Sequence, residues 1–209
     1  AILILGITGI LVITFATELT VSNEQDYYLV KNIGYSKIES KNEYKPYVYV
    51  KGFSDEALNN LSIKLIEGRL PKNENEILIP SHLKTNGRVE YKLNDLIELD
   101  IGTRVLDNYE LKQSNPYTEN NEEIINTKKV IYKVVGIIER PAANIEEISS
   151  PGYTLITRSN NFDNVVDVYI KYNKEGIKDY KKYSLDLLGI KNEKEINNVK
   201  YNYSINMYL

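Results

Sequence analysis

The stretch 67–83, EGRLPKNENEILIPSHL, decides how the rest of the chain is interpreted. A polar turn lies between two apolar runs, and Glu, Arg, Asn and Ser stand close to the single histidine, His82. Such a stretch is either a strand, a turn and a second strand, or part of an active site. Ile77 and Ile79 alternate with their neighbours and Pro80 ends the run, which is typical of a strand.

The polar residues of this stretch are expected to build the turn and the strand edge, with no chemical role. Gly68 and Pro71 shape the turn. Asn75 is expected to bond its own backbone, and the charge of Glu76 to hold the strand register. We expect His82 to be exposed on a short helix, because a catalytic base also needs an orienting partner and a nearby substrate.

Composition limits the classes of function. The chain has 209 residues, of which 42% are hydrophobic, enough for one large domain or two small ones. The absence of cysteine excludes disulfides, thiolate metal sites and cysteine nucleophiles. A net charge of −3 argues against a nucleic-acid partner. With one histidine and no phosphate-binding glycine loop, the sequence predicts no metal, no cofactor and no catalytic residue.

The first 17 residues carry no charge and leave two interpretations open. As a helix, this segment would span roughly 25 Å at about 1.5 Å per residue, short of the ~30 Å hydrocarbon core of a bilayer. Its β-branched residues are typical of strands. Residues 1–20 are therefore either the trailing part of a first transmembrane helix, or one or two buried strands bent at Gly6 or Gly9.

Apolar periodicity predicts the remaining elements. Ser54 is expected to cap a short helix over 54–61, and Asn94 and Asp95 to form the turn of a hairpin. A second short helix is predicted at 81–87, and an amphipathic helix at 174–189. The predicted strands are 44–53, 62–71, 75–80, 129–140, 153–158, 165–172 and 197–209.

Two segments are predicted to be polar loops. Residues 103–128 are acidic and are expected to form a protruding loop or a hairpin tip, and residues 141–152 a second long loop. Their carboxylate pairs are expected to be solvated charge, because a catalytic pair has to be held across a cleft; these pairs are Glu122 with Glu123 and Glu146 with Glu147. The candidate partner contacts in these loops are Pro116, Tyr117, Gly152 and Tyr153.

The element order predicts an α+β fold. A βαβ-type subdomain is formed by the two chain ends, residues 1–64 with 160–209, and a β-rich subdomain, residues 65–159, is inserted between them. Neither internal repeats nor a low-complexity linker separate the two parts.

Three sequence motifs resemble those of the extracytoplasmic domain of FtsX-like ABC transporter permeases, often called the MacB-type periplasmic core domain, and they occur in the same order. The resemblance covers about residues 31–209. The motif positions matched are Gly68, Arg69, Leu70, Pro71, Asn75, Glu76, Ile77, Ile79 and Pro80 in the first; Leu93, Asp95, Ile97 and Leu99 in the second; and Tyr132, Val134, Val135, Gly136 and Ile137 in the third. Asn94 stands where the family has glycine, and asparagine tolerates the left-handed conformation better than most residues. Residues 1–30 depart from the family pattern.

The resemblance implies a non-catalytic, membrane-anchored domain between the first two membrane helices of a permease, on the extracytoplasmic side of the cell membrane. Its implied partner is a separate cytoplasmic ATPase subunit acting through those helices. The domain would couple the ATPase cycle to an outside peptide, lipid or protein by mechanical transmission. The alternative is a secreted or anchored extracellular binding module, which would bind a ligand in isolation.

Overall fold

The structure, a computed structural model, describes residues 10–15, 27–119, 121–162, 166–171, 178–187, 189 and 198–200. Within these residues the strands are β1 (Ile10–Phe15), β2 (Tyr27–Lys37), β3 (Tyr47–Phe53), β4 (Leu65–Gly68), β5 (Glu76–Pro80), β6 (Leu96–Leu106), β7 (Tyr109–Glu110), β8 (Glu122–Ile138), β9 (Gly152–Arg158), β10 (Val166–Lys171) and β11 (Asn198–Lys200). The helices are α1 (Asp55–Asn60), α2 (Ser81–Thr85) and α3 (Tyr180–Leu187). This mixture of sheet and short helices is an α+β fold, as predicted.

The chain divides into two compact units, residues 1–31 with 161–209 and residues 32–160. The predicted division, with boundaries after residues 64 and 159, stays a prediction. In the larger unit β3 pairs in parallel with β9, from Tyr47 opposite Gly152 to Phe53 opposite Arg158. Because β9 lies in the larger unit, this pairing places residues 47–53 in the larger unit as well.

The smaller unit is built around β1. This strand pairs antiparallel with both β10 and β11, so that β10 and β11 run parallel, with α3 between them in sequence. The first part of β2 pairs antiparallel with β10, from Tyr27 to Lys31. Because Ile10–Phe15 is a strand, the membrane-helix interpretation is wrong for these residues; Gly6 and Gly9 lie outside the described residues. Among the described helices, none is long and apolar enough to cross a membrane.

In the larger unit β5 and β8 form the centre of the sheet. β5 runs parallel to β8 and antiparallel to β9, and β8 pairs antiparallel with β6 and with β4. Consistent with a strand covered on both faces, Ile77, Leu78 and Ile79 are all buried. The core around them consists of Val48, Val50, Ile77, Ile79, Leu83, Ile97, Leu99, Ile101, Tyr132, Val134, Tyr153 and Leu155.

The predicted cap of α1 is confirmed. The Ser54 hydroxyl accepts a hydrogen bond from the backbone N–H of Ala57 at 3.1 Å. Asp55 and Glu56 occupy the first turn, where acidic side chains favour the helix dipole. The helix buries Ala57 and Leu58, which anchor it against the sheet.

Of two sequence predictions about local structure, one is confirmed and one is wrong. Residues 103–128 contain the tip of a hairpin, one of the two forms predicted for them: β6 continues to Leu106 and pairs antiparallel with β8, which begins at Glu122. The turn at Asn94 and Asp95 is present, but residues 89–95 form no strand, so there is no hairpin. Asn94 does adopt the left-handed conformation, with φ of 70°.

Candidate functional site

The three family-like motifs meet on β8, in what we call the motif junction (Gly68, Arg69, Asn94 and residues 134–136). The N–H of Arg69 donates to the carbonyl of Val135 at 2.9 Å, and the N–H of Asn94 to the carbonyl of Val134 at 2.8 Å. Gly68 lies opposite Gly136 in the pairing of β4 with β8. Segments that are far apart in sequence thus share the same few residues of one strand.

Two glycines allow this close approach. Gly68 has φ of 83°, and a Cβ atom there would lie 2.2 Å from the carbonyl oxygen of Val135. A Cβ atom on Gly136 would lie 2.7 Å from the carbonyl oxygen of Arg69. Backbone atoms cannot shift away as a flexible side chain can, so both positions require glycine.

The charged residues of the first motif close the turn. The guanidinium of Arg69 donates to both carboxylate oxygens of Glu76, at 2.7 and 2.6 Å, and the N–H of Lys72 donates to the same carboxylate at 2.7 Å. The bond from Arg69 is the main reason why the pKa of Glu76 is lowered to about 2. The expected backbone bond of the Asn75 side chain is wrong: the Asn73 side chain instead accepts from the N–H of Asn75 at 3.0 Å.

A second group of polar residues, which we call the Glu146 cluster, comprises Glu146, Lys45, His82, Arg140 and the N–H of Thr154. One carboxylate oxygen of Glu146 lies 2.7 Å from His82 Nε2, 2.9 Å from Lys45 Nζ and 3.8 Å from Arg140 Nη2. The other accepts from the N–H of Thr154 at 2.6 Å. Two predictions are therefore wrong: the Glu146 side chain is fully buried, and that of His82 is only 14% exposed.

Protonation in the Glu146 cluster follows from its contacts. Burial raises the pKa of Glu146, but the hydrogen bond from His82 and the charge of Lys45 outweigh it and hold the pKa below its ordinary value. Burial lowers the pKa of Lys45 despite Glu146. Because a carboxylate only accepts, His82 Nε2 carries the hydrogen. His82 Nδ1 is buried and has no hydrogen-bond partner within the described residues, so as arranged it cannot reach a substrate.

A third group, the Arg104 cluster, comprises Arg104, Glu122 and three backbone carbonyl groups. Nε and Nη2 of Arg104 each donate to one oxygen of Glu122 at 2.6 Å. The guanidinium also donates to the carbonyl oxygens of Lys112 at 3.1 Å, Asn115 at 2.9 Å and Pro116 at 2.9 Å. Both charged side chains are fully buried. The prediction that Glu122 is solvated loop charge is wrong.

Tyrosines surround Arg104. Its guanidinium carbon lies 5.8 Å from the ring centres of both Tyr35 and Tyr47, and the Tyr117 ring packs edge-on against Tyr47 with 5.7 Å between ring centres. Burial and the nearby Glu122 carboxylate raise the pKa of Tyr47. Residues 107–119 are therefore held against the sheet by the hydrogen bonds from Arg104 to three of their carbonyl groups and by the packing of Tyr117 on Tyr47.

The predicted contact residues fall into two groups. Pro116 is exposed and Tyr117 is half-buried. Gly152 and Tyr153 are buried residues of β9, so the expectation that they lie in a surface loop is wrong: the Tyr153 hydroxyl donates to Asn86 inside the unit at 2.5 Å. Contact with a partner stays a prediction.

No local sequence signal identifies the buried clusters. Glu146 and His82 are 64 residues apart, and Lys45 reaches the carbonyl of Ser150 over 105 residues. In the part of the chain that the structure describes, no group of three or more His, Cys, Asp or Glu residues is placed to hold a metal ion.

No protein-family model matches the chain, and no curated protein matches it in sequence. Three solved structures are similar to it. One is a domain of a protein assigned as a permease from Porphyromonas gingivalis, with 10% identity, a TM-score of 0.48, and coverage of 98% of this chain and 94% of that one. Another is the periplasmic region of MacB from Actinobacillus actinomycetemcomitans, with 10% identity, a TM-score of 0.43, and coverage of 87% and 84%.

The third is the extracellular domain of the noncanonic ABC-type transporter YknZ from Gram-positive bacteria, with 11% identity, a TM-score of 0.45, and coverage of 93% of this chain and 98% of that one. All three TM-scores lie below 0.5, so these likenesses have no bearing on substrate, partner or mechanism. The three solved structures are domains of permease or ABC-type transporter proteins, the class that the sequence motifs resemble.

Proposed function

We propose that the chain is the extracytoplasmic domain of an FtsX-like ABC transporter permease, without a catalytic role of its own. The observation that supports this most directly is the motif junction. The first two motifs of the resemblance bond to adjacent residues of the third, with Asn94 donating to Val134 and Arg69 donating to Val135 in β8. The motifs therefore share one structural role, and the polar residues of the first motif form the turn and the Arg69–Glu76 ion pair.

In this proposal a separate cytoplasmic subunit hydrolyses ATP, and the membrane helices of the permease carry its movements to the domain. The domain passes them on to a peptide, lipid or protein outside the cell. Transmission of this kind requires elements that move as rigid pieces. The close backbone contacts of Gly68 and Gly136 with neighbouring carbonyl groups provide such rigidity in the larger unit, because they leave no room for sliding.

The full-length gene product in its native membrane provides the test. We expect it to sediment with the membrane and to co-purify with an ATPase subunit. Protease added to intact cells should cleave it within this chain. A cytoplasmic protein followed in the same protease-treated cells should stay intact, which is the control for cell integrity. A product found in the soluble fraction, or cleaved only after lysis, would contradict the proposal.

The alternative, an extracellular binding module, is favoured by one feature. The Arg104 cluster fixes the carbonyl of Pro116, and Tyr117 packs on Tyr47, so this segment is ordered in advance of any contact. A ligand that binds the isolated domain, and is lost on Tyr117→Ala but not on Tyr109→Ala, would support the module. Binding that requires the whole transporter would support the permease.

A further inference from the structure

Segment 139–151 has backbone hydrogen bonds to the rest of the larger unit at its two ends, from the N–H of Glu139 to the carbonyl of Lys64 and from the N–H of Tyr47 to the carbonyl of Pro151. Glu146 makes charged contacts from the middle part of the segment. The segment forms no strand, and its internal hydrogen bonds are local: the N–H groups of Ile145 and Glu146 both donate to the carbonyl of Ala142, and that of Ser150 to Glu147. Such turns are weak on their own. The segment depends on what its buried residues contact elsewhere.

Glu146 connects this segment to three others. Lys45 belongs to the loop that precedes β3, His82 to α2, and Thr154 to β9. Lys45 also donates from Nζ to the carbonyl of Ser150 at 2.7 Å, a second tie to the same segment. One carboxylate therefore coordinates neighbours that the sequence places far apart.

The charges in this cluster do not balance. Lys45 and Arg140 are both cationic and face the single Glu146 carboxylate, and His82 adds a third basic group; the neighbouring Tyr153 hydroxyl is directed to Asn86. A buried ion pair contributes little net stability, because desolvation opposes the attraction. Loss of the one negative charge leaves buried or half-buried cations without their counter-ion.

We propose that Glu146 is a latch that holds segment 139–151 closed over Lys45, His82 and Tyr153, and that loss of its charge opens this segment locally while the rest of the larger unit stays folded. Such an opening is a conformational device of the fold. It does not depend on the transport role proposed above.

Hydrogen–deuterium exchange on the full chain tests the latch. In Glu146→Gln we expect exchange in peptides covering 139–151 to rise about tenfold to a hundredfold, the factor that corresponds to a hydrogen bond with a charged group. Peptides from β5 and β8 are expected to exchange as in the unsubstituted chain. Glu139→Gln is the matched control, since Glu139 lies in the same segment and its ion pair with Lys64 is exposed, at 3.5 Å.

Unchanged exchange in 139–151, or an equal rise in β5, β8 and the segment, would overturn the latch. The unsubstituted chain gives a second measurement that requires no folded variant. Because the pKa of Glu146 lies below its ordinary value, the carboxylate stays charged in mild acid and the segment is expected to stay closed there. As the pH falls further, the segment should open at a higher pH than that at which β8 loses protection; simultaneous loss would contradict the proposal.

Discussion

The Arg104 cluster and the Glu146 cluster both bury charged side chains in the larger unit, but they compensate the buried charges differently. In the Arg104 cluster, all five N–H donors of the guanidinium have acceptors: two carboxylate oxygens of Glu122 and three backbone carbonyl groups. Its charges cancel. In the Glu146 cluster, one carboxylate faces three basic side chains from three parts of the chain. A buried charge can therefore have all its hydrogen bonds made and its charge cancelled, or it can lie in a cluster of unequal charge, which protonation of one carboxylate can open.

The largest effect is expected from breaking the saturated cluster. Arg104→Leu leaves the buried Glu122 carboxylate without its cationic partner, with the N–H of Thr118 still donating to it, and removes the donors of three carbonyl groups, so the free energy of unfolding should fall by about 3–5 kcal/mol. Urea denaturation followed by tyrosine fluorescence measures it. Lys129→Leu is the control, because its ion pair with Glu98 is exposed on both sides, and its free energy of unfolding should stay close to that of the unsubstituted chain. Equal losses in both variants would remove the basis of the comparison.

A smaller loss is expected from the unbalanced cluster. Glu146→Gln removes the negative charge that faces Lys45 and should lower the free energy of global unfolding by about 1–3 kcal/mol. The loss is limited because local opening allows water to solvate Lys45. The same denaturation measurement, made beside Arg104→Leu, ranks the two clusters. A loss larger than that of Arg104→Leu would mean that Glu146 is a structural joint of the same kind.

The Arg69–Glu76 pair supplies a partly exposed reference with a defined pH dependence. The pKa of Glu76 is lowered to about 2 in the folded protein, against about 4.3 when unfolded. The pair therefore contributes its full stability above the unfolded value, and this contribution is lost as the pH falls towards 2. Solvent reduces the contribution, because the Arg69 side chain is 43% exposed, and we expect Glu76→Gln to cost about 1 kcal/mol at pH 7.

Thermal denaturation between pH 7 and pH 2 measures this difference. The melting temperatures of the unsubstituted chain and of Glu76→Gln should converge at the acidic end. A difference that persists at pH 2 would show that the Glu76 carboxylate stabilises the turn by something other than its charge.

The smallest effect involves no charge and sets the scale for the others. Asn94 holds φ of 70° at the position where the motif has glycine. Asn94→Gly removes the strain of the left-handed conformation but increases the entropy of the unfolded chain, so stability should change by less than about 1 kcal/mol. Asn94→Ala, which keeps the strain, should lose about 1 kcal/mol. A large loss in the glycine variant would give the Asn94 side chain a role not recognised above.

The sequence predicts this fold best where regular periodicity and turn chemistry agree. The strand at 153–158, the cap at Ser54 and the turn at Gly68 follow from local rules. Arg104 does not, because it has the same parity along β6 as the exposed residues Glu98 and Asp100. Residues 112–116 fold back to the Arg104 guanidinium, and the rings of Tyr35 and Tyr47 pack against it. No local sequence pattern indicates these contacts.

His82 and Glu146 illustrate the same limit for the candidate site. In sequence, each is an ordinary polar residue of a short helix or a loop, and solvent exposure is the natural expectation. Only the folded chain brings them to 2.7 Å from each other. The turn at Gly68, in contrast, follows from local turn chemistry, because Gly68 adopts φ of 83°, which favours glycine.

The outer face of β6 and β8 has a consequence for handling the protein. Leu96 and Ile131 are 72% and 54% exposed, yet each stands opposite a charged residue, Lys133 and Glu98 respectively. Charges interspersed in this way discourage the sheet from pairing with another chain. Replacing Glu98 and Lys133 with isoleucine would join the two apolar side chains into a continuous exposed apolar stripe, and the protein should then precipitate during concentration.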